Sequence, residues 1–173
     1  MVAAKRLPRQ WRREGSRVAE TWRTGTGAER VDGSVLQGYA QAITSRHLLA
    51  RPVKVVVDCG NGVASLVAEQ VLQALGCEVV PLFCESDGTF PNHHPDPTVP
   101  ENLTALAEAV RRTGAELGIA FDGDGDRIGA VDEHGRIIYG DQLLVVLGRD
   151  AVRRFGPGVP VIFDVKCSLV LPQ

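Results

Sequence analysis

The chain has 173 residues, of which 44% are hydrophobic and 23% charged, so it can bury one substantial core but hardly two large independent cores. Its formal net charge of −2 gives no electrostatic reason to expect nucleic acid or an anionic membrane as a partner. No apolar run reaches the roughly 20 residues that a membrane-spanning helix needs. The four cysteines lack the close pairing of a zinc site, and we expect reduced thiols in a soluble, cytoplasmic protein.

The beginning of the chain differs in pattern from the rest. Residues 1–30 scatter seven arginines among polar residues and sustain no helical or strand period, which predicts an irregular Arg-rich tail. Across residues 31–52, the apolar side chains of Val35, Tyr39 and Ile43 recur at helical spacing. This pattern predicts a helix that docks on the core, followed by a linker.

The next stretch has the pattern of a strand, a turn, a helix and a second strand. A β-branched run at residues 53–57 predicts a buried parallel strand, which ends in a glycine-containing turn at residues 58–62. A helix with one apolar face is predicted over residues 63–75, and a second strand over residues 77–83. Such a βαβ unit predicts an α/β fold with a right-handed crossover.

The turn after the first strand has two interpretations. Its glycines, Gly60 and Gly62, partly match a dinucleotide-binding fingerprint, but the third position of that motif is Ser65. A tight turn that places Asp58 and Asn61 at an interface or at the edge of a ligand site fits the residues better.

A long irregular segment is predicted at residues 84–100, because four prolines exclude a helix or a central strand. The adjacent His93 and His94 point in different directions and have no further His or Cys nearby. They indicate hydrogen bonding or interdomain packing rather than metal ligation. A helix over residues 101–112 follows, with an apolar face formed by Leu103, Leu106, Ala107 and Val110.

The most informative stretch is an acidic loop between two apolar runs. Asp122, Asp124 and Asp126 occupy alternate positions, and the glycines between them let the side chains converge. Carboxylates packed this closely repel one another unless a cation lies among them. Oxygen ligands without Cys or His suit Mg²⁺, Ca²⁺ or Mn²⁺, so the loop is interpreted as a metal site at the end of a strand.

The acidic loop has three other interpretations. An EF-hand would use Glu133 at its twelfth position, but its sixth position requires Gly and is Arg127 here, and the flanks have strand patterns. An apolar run that ends in Asp-x-Asp is also typical of aspartyl-phosphate hydrolases, in which Asp122 would be the nucleophile. A solvated acidic turn fits the composition. Arg127 either balances the aspartate charges or holds a phosphate beside the ion.

The region after the loop predicts a hairpin, a helix and a strand. Residues 128–131 and 136–139 have strand patterns around a turn at residues 132–135. Asp141 is predicted to be the N-cap of a helix that ends at Gly156. An apolar run at residues 159–165 predicts a sixth strand. The predicted inward face of the helix consists of Leu143, Leu144, Leu147, Ala151 and Val152.

Five motifs in this order resemble those of the α-D-phosphohexomutases, in particular the bacterial phosphomannomutase/phosphoglucomutase branch. The resemblance runs from about residue 31 to the last residue. The motifs are Val-Asp-Cys-Gly-Asn-Gly, Phe-Pro-Asn-His-His-Pro-Asp-Pro, Phe-Asp-Gly-Asp-Gly-Asp-Arg, Gly-Asp-Gln-Leu and Asp-Val-Lys-Cys-Ser.

This resemblance implies a fold and a set of site residues. Members of the family have four domains around one cleft. Residues 53–155 would be the second domain, an α/β sandwich with a mixed sheet between helices, and residues 156–173 the truncated start of the next domain. The resemblance makes Asp122, Asp124 and Asp126 the Mg²⁺ ligands, places Arg127 beside the active-site phosphate and makes Lys166 a substrate-facing residue.

The resemblance also implies an activity for the whole enzyme. The family interconverts hexose 1-phosphate and hexose 6-phosphate through a phosphoserine and a bisphosphate intermediate. Its T-x-S-H-N-P phosphoserine segment and its G-E-x-S-G-H sugar loop are absent from this sequence, so we expect no catalytic residue here and almost no activity of the isolated chain. We also expect hexose phosphate as the ligand, and either missing domains or self-association through the exposed terminal strand. The alternatives are an aspartyl-phosphate phosphohydrolase and a non-catalytic module that binds sugar phosphate and Mg²⁺.

Overall fold

A five-stranded mixed sheet organises the fold in the computed structural model, which describes residues 31–169. The irregular tail predicted for residues 1–30 and the last four residues lie outside this described part. The strands are β1 (Lys54–Asp58), β2 (Glu78–Leu82), β3 (Leu117–Phe121), β4 (Ile128–Asp132) and β5 (Ile137–Ile138), and the helices are α1 (Val35–Thr44), α2 (Ala68–Ala74), α3 (Thr104–Thr113) and α4 (Gly140–Phe155).

The order of strands in the sheet is β2-β1-β3-β4-β5. β1 pairs in parallel with both β2 and β3, whereas β4 is antiparallel to β3 and to β5. The connection from β1 to β2 contains α2, and the connection from β2 to β3 contains α3. These connections make the parallel pairs possible, because parallel strands need a long crossover. The short acidic loop reverses the chain between β3 and β4. The predicted α/β class, the mixed sheet and the βαβ unit are confirmed.

The two faces of the sheet have separate apolar cores, because alternate residues of β1 point to opposite sides. Val56 packs with residues of α3 and with Val131 on one face. Val55 and Val57 pack with Ala64 and Ala68 on the other face. The predicted buried face of the 101–112 helix is confirmed, because Leu103, Leu106, Ala107 and Val110 are all buried.

The helix predicted over residues 63–75 is divided in the structure. A 3₁₀ turn covers Val63–Leu66, and α2 starts only after Val67, whose φ of −141° is not helical. A long-range contact accompanies the division: the backbone N–H of Val63 donates to Gly123 O at 3.1 Å, which ties the start of this segment to the acidic loop. Gly76, with a φ of +94°, follows the helix as predicted.

The docking helix predicted near residue 35 forms as α1, which lies beside α2. Ala40 is its buried residue, whereas Val35, Leu36 and Tyr39 stay 62%, 49% and 55% exposed. Its apolar side chains therefore line a groove with α2 rather than a closed core. No helix among residues 31–169 is both long and apolar enough to cross a membrane.

Three predictions for the last part of the chain are wrong. The N-cap of α4 is Tyr139, whose N–H donates to Gln142 Oε1 at 2.9 Å, and Asp141 lies inside the first turn. The predicted inward face is only partly covered by the described residues: Leu143, Leu144 and Ala151 are half-buried, whereas Leu147 is 65% and Val152 42% exposed.

The third incorrect prediction is the strand at residues 159–165. These residues are not in a strand, and Ile162 and Val165 are 90% and 93% exposed. An apolar run becomes a strand only where a neighbouring strand pairs with it, and within residues 31–169 none does so here. Residues 159–169 thus provide no terminal strand, and the predicted self-association stays a prediction.

Candidate metal centre

The acidic loop lies at the carboxyl end of β3, where the chain turns back into β4. The N–H of Gly125 donates to Asp122 O at 3.2 Å, and the N–H of Asp122 donates to Arg127 O at 3.3 Å. Gly125 has a φ of +74°, a conformation that glycine adopts without strain. This closed turn brings Asp122, Asp124 and Asp126 together, with one carboxylate oxygen from each within 4.8 Å of the others.

The three aspartates differ in exposure and in charge environment. Asp122 is fully buried, whereas Asp124 and Asp126 are exposed. Burial alone pushes the pKa of Asp122 up, but the Arg127 backbone N–H and guanidinium outweigh it and hold the pKa below its ordinary value. The pKa of Asp126 is raised, first by the negative charge of Asp124. The site therefore has excess negative charge that a bound cation relieves.

The donor set fits a hard divalent cation. All three side chains offer carboxylate oxygens, which Mg²⁺, Ca²⁺ and Mn²⁺ prefer. Two of the three lie on the solvent side, so an ion can reach them and keep water ligands. Glu133, which an EF-hand would require as a ligand, belongs to the separate turn between β4 and β5.

Arg127 contacts the same carboxylates. Its N–H and Nε donate to Asp122 Oδ1 and Oδ2 at 3.0 and 2.7 Å, so both oxygens of the buried carboxylate accept a hydrogen bond. Nε also lies 3.6 Å from Asp126 Oδ1, and Nη1 lies 3.7 Å from Asp96 Oδ1. The side chain remains 55% exposed, and it balances aspartate charge in this structure.

A buried acid and a histidine support the neighbouring turn after β1. Asp58 is fully buried, its Oδ1 accepts the N–H of Gly60 at 2.8 Å, and His93 Nε2 lies 3.1 Å from its Oδ2. Burial raises the pKa of Asp58, and the Gly60 N–H and His93 oppose that shift. The ring of His93 also packs edge-on against Phe83. The hydrogen-bonding role predicted for His93 is confirmed.

Close contacts join this turn, the irregular segment and the acidic loop. A Cβ on Gly62 would lie 2.9 Å from Gly123 O, and a Cβ on Gly60 would lie 2.8 Å from Pro95 Cβ. Pro95 also lies next to Gly123. The sequence predicted the individual turns but not their packing against one another. Gly60, Gly62 and Pro95 are the residues that could have indicated this packing.

Lys166, the other predicted site residue, lies elsewhere among the described residues. It lines a cavity of about 600 Å³ at the start of α4, together with Asp141 and Ser168. The Ser168 N–H donates to Asp141 Oδ2 at 3.0 Å, which ties the segment after α4 to the first turn of that helix. The three aspartates do not line this cavity. The structure thus groups Arg127 with the aspartates and leaves Lys166 in a second location.

Comparison with known proteins identifies the region that contains the acidic loop. A family profile described as phosphoglucomutase/phosphomannomutase, alpha/beta/alpha domain II, matches residues 37–135. The phosphomannomutase/phosphoglucomutases of Pseudomonas putida and Pseudomonas aeruginosa are 56% and 54% identical over 134 and 146 residues, which cover 78% and 84% of this chain. A phosphoglucomutase of Neisseria meningitidis is 48% identical over 133 residues, or 77% of the chain.

A solved structure agrees with these sequence relatives. The crystal structure of a phosphoglucomutase/phosphomannomutase family protein from Burkholderia thailandensis matches 82% of this chain with a TM-score of 0.72 and 46% identity, and this chain covers 31% of it. The chain spans 29% of the Pseudomonas putida and Neisseria relatives and 31% of the Pseudomonas aeruginosa relative. The matched part is therefore one region of a longer type of protein.

Proposed function

Because the chain belongs to the phosphoglucomutase/phosphomannomutase family, we propose that it is the metal-binding part of an isomerase that interconverts hexose 1-phosphate and hexose 6-phosphate. The observation that carries the proposal is the convergence of three carboxylates, from Asp122, Asp124 and Asp126, at the carboxyl end of β3. The names of the relatives support the substrate class, which we propose to be glucose or mannose phosphate. The proposed location is the cytoplasm.

In this proposal the ion at the acidic loop is Mg²⁺. When bound, Mg²⁺ neutralises negative charge that develops on a phosphoryl group during transfer. Asp124 and Asp126 offer exposed oxygens to it. Asp122 is held in one orientation by its two hydrogen bonds to Arg127, so the buried ligand is already placed before the ion arrives.

Arg127 and Lys166 have the proposed role of binding phosphate or sugar. More than half of the Arg127 side chain is exposed. Its Nε–H donates to Asp122, and the guanidinium carries further N–H groups besides this one. These free donors suit a phosphate that approaches the loop from solvent. The proposal assigns no catalytic residue to residues 1–173, because the transferred phosphoryl group belongs to a serine segment that this sequence lacks.

Calorimetric titration of the chain with Mg²⁺ tests the metal site. We expect saturable uptake, with an affinity for Mg²⁺ that falls by about 10-fold or more in Asp124→Asn. Loss of a metal ligand should lower the affinity at least as much as loss of a residue that only orients a ligand. Glu133→Gln is the matched control, since Glu133 is exposed and lies near in sequence but belongs to the hairpin turn. Equal affinity in Asp124→Asn and the unchanged chain contradicts the site, and loss in Glu133→Gln instead favours an EF-hand.

The same titration with glucose 1-phosphate tests the substrate class. We expect weak binding that requires Mg²⁺ and disappears in Arg127→Ala, but persists in Arg154→Ala, which removes an exposed arginine paired with Asp150 on α4. Binding that ignores both Mg²⁺ and Arg127 contradicts the proposed role of the loop in holding a sugar phosphate.

A further inference from the structure

Two of the four cysteines meet at the carboxyl edge of the sheet. Cys59 directly follows β1, and its N–H donates to Leu82 O at 3.1 Å. Cys84 follows β2 after Phe83, which has a φ of +52°. Past this turn the Sγ of Cys84 lies 3.3 Å from the Sγ of Cys59 and 3.4 Å from Val57 O. Two thiols that are distant in sequence are thus in direct contact as free thiols.

We propose that Cys59 and Cys84 are a reversible oxidation site, at which a small neutral peroxide converts the two thiols to a disulfide that links the ends of β1 and β2. The sulfur atoms have to move from contact distance to about 2.05 Å, the length of a disulfide bond. This inference is independent of the metal site and of the proposed mutase activity.

The two thiols have different access to solvent, which assigns their roles. Cys59 is fully buried. Cys84 is half-buried and lines a cavity of about 420 Å³ together with Asn61, Glu69 and Glu85. An oxidant that enters this cavity reaches Cys84 first. Cys59, directly behind it, is placed to attack the oxidised sulfur.

The electrostatics of the pair point the same way. The pKa of the Cys84 thiol is lowered, chiefly by the side-chain hydrogen bond that joins it to Cys59. The contact with Cys84, and then burial, raise the pKa of Cys59. Of the two sulfurs, the more accessible one therefore ionises more readily, and the thiolate is the reactive form of cysteine.

The cavity also selects the class of oxidant. Glu69 and Glu85 both line it, so an anionic reagent such as oxidised glutathione meets two carboxylates on its way to Cys84. Hydrogen peroxide is uncharged and small. We therefore assign the site to hydrogen peroxide or a similarly neutral peroxide.

The reaction balances in two steps. The Cys84 thiolate attacks one oxygen of hydrogen peroxide, so an S–O bond forms, the O–O bond breaks, and hydroxide leaves and takes up the thiol proton as water. Cys84 is now a sulfenic acid, and the peroxide is reduced. The Cys59 sulfur then attacks the Cys84 sulfur, the S–S bond forms, the S–O bond breaks, and the Cys59 proton leaves with the hydroxyl group as a second water. A dithiol reductant reverses the product to two thiols.

The test uses a variant of the 173-residue chain, Cys77→Ser/Cys167→Ser, that retains only the proposed pair. After hydrogen peroxide treatment we expect the mass of the monomer to fall by that of two hydrogen atoms, both thiols to become inaccessible to alkylation in denaturant, and dithiothreitol to restore them. The matched control is Cys59→Ser/Cys84→Ser, in which Cys77 and Cys167 remain and no intramolecular disulfide is expected. Peptide mapping of the unaltered chain gives the same information without any substitution.

Several results overturn the proposal. One is a Cys84 that gains two oxygen atoms as sulfinic acid while Cys59 stays a free thiol, because a resolving thiol in contact prevents that product. A pair that stays reduced, or a control that forms the disulfide equally well, also overturns it. Oxidised glutathione should react about 10-fold or more slowly than hydrogen peroxide at equal concentration, and a stable glutathione adduct on Cys84 contradicts the role of Cys59.

Discussion

Helices α3 and α4 have similar sequence patterns but different surroundings. Both are amphipathic, and both carry two arginines in the last turn. In α3, the residues Leu106, Ala107, Ala109 and Val110 are buried against the sheet, whereas α4 buries none of its 16 residues. A helical period thus specifies which face is apolar. It does not specify whether another element covers that face.

The same contrast holds for two apolar runs. Residues 54–58 form β1, which has strand neighbours on both sides and contains the buried Val55, Val56 and Val57. Residues 159–165 have a comparable composition but no strand partner among the described residues, and they remain irregular. Strand formation therefore depends on pairing as much as on residue type.

The largest effect expected from this contrast concerns two leucines. Leu106→Ala in α3 should lower the free energy of unfolding by about 2–5 kcal/mol, because Leu106 is fully buried and its loss leaves a cavity. Leu147→Ala in α4 should change it by less than about 0.5 kcal/mol, because Leu147 is 65% exposed. Urea unfolding of both variants measures the difference, and equal losses would show that α4 is buried in solution.

An intermediate effect is expected for two glycines. A Cβ on Gly118 of β3 would lie 2.5 Å from Val131 Cγ2 and 2.8 Å from Val110 Cγ2, so Gly118→Ala should destabilise the fold by about 1–3 kcal/mol through overpacking. Around Gly148 of α4 the nearest atom is Val161 Cγ2 at 3.7 Å. Gly148→Ala should therefore stabilise that helix by about 0.5–1 kcal/mol.

Urea unfolding measures the Gly118→Ala effect, and the helical circular dichroism signal follows α4 in Gly148→Ala. A neutral result at Gly118 would mean that the two sheet faces are packed more loosely than the structure indicates. Destabilisation at Gly148 would mean that another surface approaches α4 closely.

The smallest effect is expected in the hairpin of β4 and β5, which joins the central sheet to α4. Asp132 Oδ1 accepts the N–H of Arg136 at 2.8 Å, and its Oδ2 accepts Arg136 Nε at 2.7 Å. These contacts, the backbone N–H first, outweigh the effect of burial and lower the pKa of Asp132. A carboxyl with a lowered folded pKa stabilises above its unfolded value of about 3.9, and the contribution is lost as pH falls through the folded value.

Asp132→Asn should therefore reduce the free energy of unfolding near neutral pH, and the difference from the unaltered chain should shrink in acid. Urea unfolding at about pH 7 and about pH 3 measures this change. Glu133→Gln, in the exposed part of the same turn, is the control and should leave the unfolding free energy unchanged near neutral pH. A deficit in Asp132→Asn that stays constant across the pH range contradicts an ionised carboxylate as the cause.

Local sequence patterns were sufficient for the central sheet and for the identification of the acidic loop. The β-branched run before Asp58 and the run before Asp122 each form a strand, because their neighbours in the sheet are also strands. Patterns failed at the exposure of Leu147 and at the divided helix around Val67, where distant contacts decide. They also failed at the N-cap of α4, where a local contact between Tyr139 and Gln142 was overlooked. The contact between Asp58 and His93 could likewise not be predicted from the sequence, because only the fold brings these two residues together.

Several predictions remain predictions. The domain boundaries predicted after residues 30, 52 and 155 stay predictions. The same is true of Mg²⁺ ligation by Asp122, Asp124 and Asp126, of phosphate binding by Arg127 and of substrate binding by Lys166. The titrations described for the acidic loop are the measurements that decide the first two.

Pro95 packs on Gly60 and lies beside Gly123, while Gly62 meets the carbonyl of Gly123. The geometry of the carboxylate cluster therefore depends on the chain having joined three segments that local helix and strand formation cannot bring together. A collapsed intermediate with its helices already formed would lack that geometry. The ion affinity proposed for the acidic loop should for this reason report completed tertiary assembly, and a refolding chain should acquire it only at the final, cooperative step.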